Sequence, residues 1–126
     1  MIPQLIPQIN EYQTELILDY YSNFNTFAGV DNSIRNNSIE LINYFIEKES
    51  MSINPILDYM YLDGIWLSAA CNNCELLKFF VDKHISSGGT LNYEDCNEIM
   101  FQSLSSNDFK FVDSEIEEYV SSIWPE

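Results

Sequence analysis

The sequence predicts an all-α protein, arranged as a short array of antiparallel helical pairs (an ankyrin-like α-solenoid) behind an N-terminal capping helix. Apolar residues recur every three or four positions over most of the chain, which is the spacing of one helix face. Strict apolar-polar alternation over the length of a strand is hard to find. A helical segment also recurs at an offset of 35 residues, and repeats of about this size are typical of stacked helical arrays.

The size of the chain fits one domain. With 126 residues, of which 46% are hydrophobic, it has enough apolar material for its own core. We therefore expect a single helical domain over residues 1–126. No apolar run approaches the ~20 residues of a membrane span, and the first residues do not show the basic region and following apolar region that an export signal is expected to have. The three cysteines fit a reducing compartment, so we expect a cytoplasmic protein.

The N-terminal part predicts one helix and a loop. Pro3 and Pro7 delay regular structure, and a helix is predicted from about Gln8 to Phe24. This helix lacks the repeat pattern and is interpreted as a capping element. The stretch from Asn25 to Asn37 is rich in asparagine and predicts a loop, with room for a short helical turn.

The middle of the chain predicts four helices. Ser38 begins a helix that ends near Glu49. Asn54 and Pro55 begin a short helix that ends near Leu62, because Asn favours the N-cap and Pro the first helical position. The third and fourth helices lie within Asp63–Lys83. Asp63 is suited to cap the third helix, and the turn that follows it is predicted at Asn72-Asn73. The apolar stripe of the fourth helix is Leu76, Leu77, Phe80 and Val81.

Two helices are predicted in the C-terminal third. His84–Thr90 is a flexible connection in which Gly88-Gly89 can take positive φ. Asn92 caps a helix from about Tyr93 to Leu104. The last helix is predicted from Asp108 to about Trp124, where Pro125 stops it. Its buried stripe is predicted to contain Phe109, Val112, Ile116, Tyr119, Val120 and Ile123.

The internal repeat is clearest in the second helix of each pair. Cys74–Lys83 aligns with Ile39–Lys48 at an offset of 35 residues, and with Phe109–Glu118 at the same offset. The second alignment weakens after Asp113.

These residues resemble ankyrin repeats. Asp63–Ala69 stands where ankyrin repeats have T-P-L-H-x-A-A, and Asn72–Lys78 where they have G-H-x-E-x-V-K. The chain departs from the pattern at Gly64, Trp66 and Asn72, which replace Pro, His and Gly. The resemblance implies stacked helical pairs and a role in binding other proteins.

Candidate metal ligands are few. Cys71, Cys74, Cys96 and His84 are four ligands of the kind that tetrahedral zinc takes, although only the first two are closely spaced. The alternative is that the cysteines fill space in the helical core. We expect neither a metal nor another cofactor.

No set of residues suited to catalysis is present in the sequence. His84 is the only histidine, and we expect it near a helix C-terminus, where it stabilises the last carbonyls. Neighbouring carboxylates such as Glu94-Asp95 and Glu117-Glu118 point in different directions on a helix. We therefore expect a protein that is not an enzyme.

The net charge points to a class of partner. Twenty acidic residues against five basic ones give a formal charge of -15. Such a chain repels nucleic acid and anionic membranes and attracts basic proteins. Solubility alone is the competing explanation, but a charge of about 2 to 8 in magnitude suffices for that.

The candidate partner-binding residues are tyrosines that adjoin an acid, together with acids near them or in the acidic C-terminal third, because aromatic anchors among carboxylates suit a Lys- and Arg-rich protein. These residues are Asp58, Tyr59, Asp63, Tyr93, Glu94, Asp95, Glu98, Asp113, Glu117, Glu118 and Tyr119.

The sequence therefore predicts an inhibitor that binds a basic protein, such as an immunity protein or antitoxin that blocks a nuclease-type toxin. Two alternatives stay open: a phage-type inhibitor that mimics nucleic acid, and a generic ankyrin-like interaction scaffold.

Overall fold

The computed structural model describes residues 25–125, and this part of the chain contains six helices and no strand. The all-α prediction is confirmed. The predicted helix from Gln8 to Phe24 lies outside the described residues. Helix α1 occupies residues 25–35, and the other helices are α2 Ile39–Ser50, α3 Leu57–Ala70, α4 Cys74–Ser86, α5 Tyr93–Ser106 and α6 Ser114–Ile123.

Helices α3 and α4 form the centre of the described residues. They pack most closely on each other, while α3 also contacts α2 and α5, and α6 contacts α4 and α5. The close approach of α3 and α4 depends on Gly64, because a Cβ at this position would overlap the ring of Phe80. The predicted stripe of α4 is confirmed, since Leu76, Leu77 and Phe80 are fully buried and Val81 nearly so.

The prediction of a loop between Asn25 and Asn37 is wrong, because residues 25–35 are helical. Val30 and Ile34 are buried one turn apart, and Thr26 and Ser33 lie on the same side. Asparagine, in which this stretch is rich, has a weak helix propensity. Burial of the helix face that contains Val30 and Ile34 outweighs it.

The predicted boundary between Leu62 and Asp63 is also wrong, because α3 is one continuous helix. Asp63 lies in its middle and caps nothing. Neither is Asn54 the N-cap: the cap position is Ile56, which makes no side-chain cap bond. The buried carboxylate of Glu49, at the end of α2, instead accepts hydrogen bonds from the Ile56 N–H (3.2 Å) and from the Ser52 hydroxyl (3.0 Å).

The turn predicted at Asn72-Asn73 is confirmed. Asn72 has φ 53°, and the side chain of Asn73 caps α4 by accepting from the Leu76 N–H at 3.1 Å. The turn before α2 has the same form. Asn37 also has φ 53°, and Ser38 is the N-cap. Helices α2 and α4 thus begin 35 residues apart, which is the offset found in the sequence.

The C-terminal third agrees with the sequence only in part. Asn92 caps α5 as predicted, through a reciprocal pair of hydrogen bonds with Asp95, and Gly88 has φ 95°. The last helix begins at Ser114 and not at Asp108, because Asp108 and Phe109 both take left-handed φ values, 58° and 60°. Phe109 is therefore outside the buried stripe, and 62% of its surface is exposed. The alignment of Phe109–Glu118 with the earlier helices fails over its first half.

None of the helices in residues 25–125 combines the length and apolar character that a membrane crossing requires.

Candidate protein-binding surface

The sequence-predicted residues lie at three places, of which the first is the start of α3. Asp58 and Tyr59 are exposed there, and Tyr59 keeps 71% of its surface accessible. Residues 55–59 line a shallow groove of about 230 Å³. Asp63, about one helical turn further along α3, is half-buried and belongs to a different environment.

The start of α5 holds the second set. Tyr93 and Glu94 are exposed, and the Tyr93 ring meets Trp124 edge-on with centroids 5.4 Å apart. The Asp95 carboxylate accepts the Asn92 N–H at 2.9 Å and is therefore engaged in capping. Glu98 accepts a hydrogen bond of 2.7 Å from the Gln102 side chain one turn later.

Helix α6 holds the third set. Asp113 is the N-cap, and its carboxylate accepts from the backbone N–H groups of Glu115 and Ile116, each at 3.1 Å. Glu117 and Glu118 are exposed. Asp113 therefore serves mainly to fix the helix start, whereas the two glutamates are free to meet a partner.

Tyr119 is the most constrained of the predicted residues. Its side chain is half-buried, and burial raises the pKa of its hydroxyl to about 12, with Asp82 and Cys74 acting in the same direction. The hydroxyl thus keeps its proton at neutral pH. The Lys78 ammonium lies 5.4 Å from the centroid of the Tyr119 ring, within the range of a cation–π contact.

Two grooves share Tyr119 as a common wall. One has a volume of about 490 Å³, lies between α4, the segment that follows it and α6, and is mainly apolar. Its other lining residues are Val81, Asp82, Ile85, Ser86, Leu91 and Ile123. The second, of about 340 Å³, is polar, and its other lining residues are Lys78, Glu115, Glu118 and Ser122. We call the two grooves together the Tyr119 surface.

The sequence prediction missed several residues of this surface. Ile85 is 50% exposed because it lies off the buried stripe of α4, and this periodicity was visible in the sequence. Asp82 and Glu115 are exposed acids that the sequence did not distinguish from the other acids of the chain. The packing of α6 beside α4 brings Asp82 to Tyr119, whereas Glu115 lies one turn before Tyr119 on α6 itself.

The carboxylates of the described residues have few basic side chains with which to form ion pairs. Apart from Glu49, none of them has a basic side chain at ion-pair distance within residues 25–125. Even Lys78, which lines the polar groove beside Glu115 and Glu118, lies over the Tyr119 ring and forms no ion pair with either acid. The acids of the Tyr119 surface therefore keep their capacity to bind an external cation.

Asp63 belongs to a carboxyl pair and not to this surface. The pKa of Asp31, on α1, is raised to about 7 by burial and by the neighbouring Asp63 carboxyl, against a smaller opposing effect of Arg35. The pair joins α1 to α3. Protonation of this pair therefore bears on the stability of the fold and not on a binding surface.

The candidate zinc ligands are not brought together. All three cysteines are free, with Cys71 exposed and Cys74 and Cys96 buried, and burial raises the pKa of both buried thiols. Residues 25–125 contain no cluster of three or more His, Cys, Asp and Glu side chains placed to hold a metal ion. His84 is buried at the end of α4, where its Nε2 lies 3.1 Å from the Thr90 carbonyl oxygen. It thus fixes the α4–α5 connection, and this bond is made to Thr90 and not, as the sequence had predicted, to the last carbonyls of the helix.

No known protein family, curated protein or solved structure matches this chain. The chemistry of the Tyr119 surface is therefore the basis on which a function can be argued.

Proposed function

We propose that this protein binds a basic protein through the Tyr119 surface and inhibits that partner by covering its functional site. The observation that carries the proposal is a set of exposed carboxylates around Tyr119. These carboxylates belong to Asp82, Glu115 and Glu118, and none of them has an ion-pair partner in the described residues. A partly buried tyrosine among such acids is the kind of anchor that dominates protein interfaces.

The charge of the whole chain acts in the same direction. A formal charge of -15 attracts a basic partner from a distance and speeds the encounter, while close carboxylates fix the register. A nuclease-type toxin fits this charge best, because nucleases carry the positive surface that phosphates require. In that case the protein acts as an immunity protein or antitoxin. Carboxylates grouped around one ring favour this function over a mimic of nucleic acid, which needs two rows of negative charge.

We further propose that the six helices form three stacked antiparallel pairs, α1–α2, α3–α4 and α5–α6, as in an ankyrin-like array. Side-chain amides support this arrangement: Asn73 donates to Asn37 at 3.0 Å, and Asn72 and Asn107 donate to each other at 3.1 Å. Three buried serines also recur at the 35-residue offset; they are Ser33, Ser68 and Ser103. Stacked pairs present a continuous surface for a partner.

A second candidate function is that of a scaffold whose partner need not be basic. Exposed aromatic rings on α5 and in the connection from α5 to α6 favour it. Phe101, Phe109 and Phe111 are each about half exposed or more, and the rings of the first two are 5.9 Å apart. Their neighbour Lys110 is the only basic residue of this part of the chain.

The test is affinity purification from the native cell, followed by kinetics with the purified partner. We expect a partner with a high isoelectric point, an association rate that falls at least about tenfold between 50 and 300 mM NaCl, and loss of the partner's activity at equimolar ratio. The double variant Glu115→Lys/Glu118→Lys should weaken binding at least about tenfold more than a matched double variant on α2.

The matched control is Glu40→Lys/Glu47→Lys. It makes the same change in net charge at two exposed acids, one of which also lies in the first turn of its helix. A neutral or acidic partner, a salt-independent association rate, or equal losses for the two double variants would overturn the proposal.

A further inference from the structure

We propose that the partner segment seated at the Tyr119 surface presents an apolar side chain next to a cationic one. The apolar side chain fills the groove between α4 and α6, and the cation lies between Glu115 and Glu118 in place of the Lys78 ammonium. This inference rests on the proposed function and names the chemistry of the segment that is bound.

The apolar groove accounts for the first part. Its volume of about 490 Å³ leaves room for an apolar side chain, although the groove is open to solvent on one side. Leu91 and Ile123 are only partly covered by the core, and Ile85 exposes half of its surface to this space. A leucine, isoleucine or phenylalanine side chain from a partner would remove these surfaces from water, whereas a purely polar segment would leave them exposed.

The polar groove accounts for the second part. Glu115 and Glu118 are exposed and have no ion pair in the described part of the chain. The Lys78 ammonium shows where a cation can lie in this groove, since it is 5.4 Å from the centroid of the Tyr119 ring. Because Lys78 is itself exposed on α4, its side chain can change conformation and move off the Tyr119 ring. A lysine or arginine of the partner can then contact that ring and the two carboxylates. Lys78 thus competes with the partner for this position.

The common wall sets the distance between the two parts. Tyr119 lines both grooves, so an apolar group in one and a cation in the other are separated by a single ring. Adjacent or nearly adjacent side chains of one segment can span this distance. A second copy of this chain is a poor occupant, because two molecules of charge -15 repel each other. Nucleic acid and anionic lipid are excluded by the same sign of charge.

Synthetic peptides test the inference without the natural partner. The probe is a peptide of about 14 residues made of leucine and lysine, compared with a lysine–serine peptide of equal charge and with a leucine–glutamate peptide. We expect the leucine–lysine peptide to bind about tenfold more tightly than the lysine–serine peptide, and the leucine–glutamate peptide not to bind. Methyl signals of Leu91, Ile85 and Ile123 should shift in NMR spectra during the titration.

Two substitutions separate the grooves. Ile85→Asp should weaken binding of the leucine–lysine peptide at least about fivefold without weakening binding of the lysine–serine peptide. Its control is Leu41→Asp, the same kind of change at a residue that is also 50% exposed. Lys78→Met should tighten binding about three- to tenfold more than Lys48→Met, which removes the same charge from an exposed site on α2.

The outcomes are distinguishable from those for the proposed function. If a basic partner is found but Ile85→Asp acts no differently from Leu41→Asp, and Lys78→Met no differently from Lys48→Met, the inference is overturned and the proposed function stands. NMR shifts confined to Phe101, Phe109 and Phe111 would overturn it equally. If no basic protein or peptide binds, both the inference and the proposed function are overturned.

Discussion

At the scale of single residues, the carboxyl pair Asp31–Asp63 links protonation to folding. The two side chains approach from α1 and α3, where partial burial disfavours charge on both at once. The pKa of Asp31 rises from 3.8 to about 7, first because of burial and then because of Asp63, while Arg35 opposes the rise. At neutral pH, ionisation of the Asp31 carboxyl therefore costs free energy in the folded protein that it does not cost in the unfolded chain.

The consequence for stability has a definite sign. Since the pKa of Asp31 is higher in the folded state, the folded protein binds more protons between about pH 4 and pH 7, and its free energy of unfolding falls as pH rises through that window. We expect Asp31→Asn to be more stable than the native sequence at pH 7.5 by roughly 1–3 kcal/mol, which is less than the full pKa shift would give because water screens a partly exposed carboxyl, and to lose this advantage near pH 4. Urea denaturation at several pH values measures both effects.

A control for net charge is Glu47→Gln, which removes one negative charge from an exposed position on α2. It should leave the slope of stability against pH unchanged. The interpretation of the carboxyl pair is wrong if Asp31→Asn is no more stable than the native sequence at pH 7.5, or if its pH slope matches that of Glu47→Gln.

At the scale of helices and turns, Asn72 has two separable roles. Its backbone takes the left-handed φ that ends α3, a conformation that Asn tolerates better than most residues. Its side-chain oxygen accepts from Ser103 at 2.7 Å, and its amide exchanges hydrogen bonds with Asn107. Ser103 in turn accepts the Asp113 N–H at 2.9 Å, so the network ties the α3–α4 turn to the start of α6.

Glycine substitutions distinguish the two roles, because glycine keeps the left-handed backbone and removes the side chain. We expect Asn72→Gly to lower the free energy of unfolding by about 2 kcal/mol, since partly buried partners lose their hydrogen bonds. Asn37→Gly should cost less than about 1 kcal/mol, because the side chain of Asn37 accepts only an exposed bond from Asn73. Equal losses in urea denaturation would show that the side-chain network contributes nothing.

Local signals explain which elements could be predicted from the sequence. The helix starts at Ser38 and Asn92 were found because a cap residue acts on the N–H groups two or three positions ahead of it, whereas Asn73 was predicted as part of a turn and not as a cap. Helix α3 was wrongly divided because its start is fixed by Glu49, a residue on another helix, through a bond that no local pattern reveals. The late start of α6 was missed because Phe109 has a positive φ, and bulky residues rarely adopt this backbone conformation.

The candidate surface was predictable in chemistry but not in shape. The excess of acid and the acid–tyrosine neighbours pointed to Glu118 and Tyr119, which both belong to the Tyr119 surface. The two grooves depend on how α6 packs against α4, and Asp82 and Ile85 join the surface only through that packing. Asp95 and Asp113, in contrast, were selected for their charge and serve mainly as caps.

At the scale of the whole molecule, the same charge that attracts a partner opposes folding. The formal charge is -15, and, apart from Glu49, the described carboxylates lack ion pairs, so repulsion between them is relieved mainly by dissolved ions. Small ions act on this repulsion over the Debye length, which falls from about 30 Å at 10 mM salt to under about 10 Å at 200 mM.

Salt should therefore move stability and binding in opposite directions. Raising NaCl from about 10 to about 200 mM should increase the free energy of unfolding by roughly 1–2 kcal/mol, with an unchanged dependence on urea, because screening reduces self-repulsion. KCl at equal ionic strength should act alike, which separates screening from binding of a particular cation. The association rate with a basic partner should fall over the same range. A stability that is indifferent to salt would mean that the carboxylates are too far apart to repel, and a surface so dilute in charge could not steer a partner either.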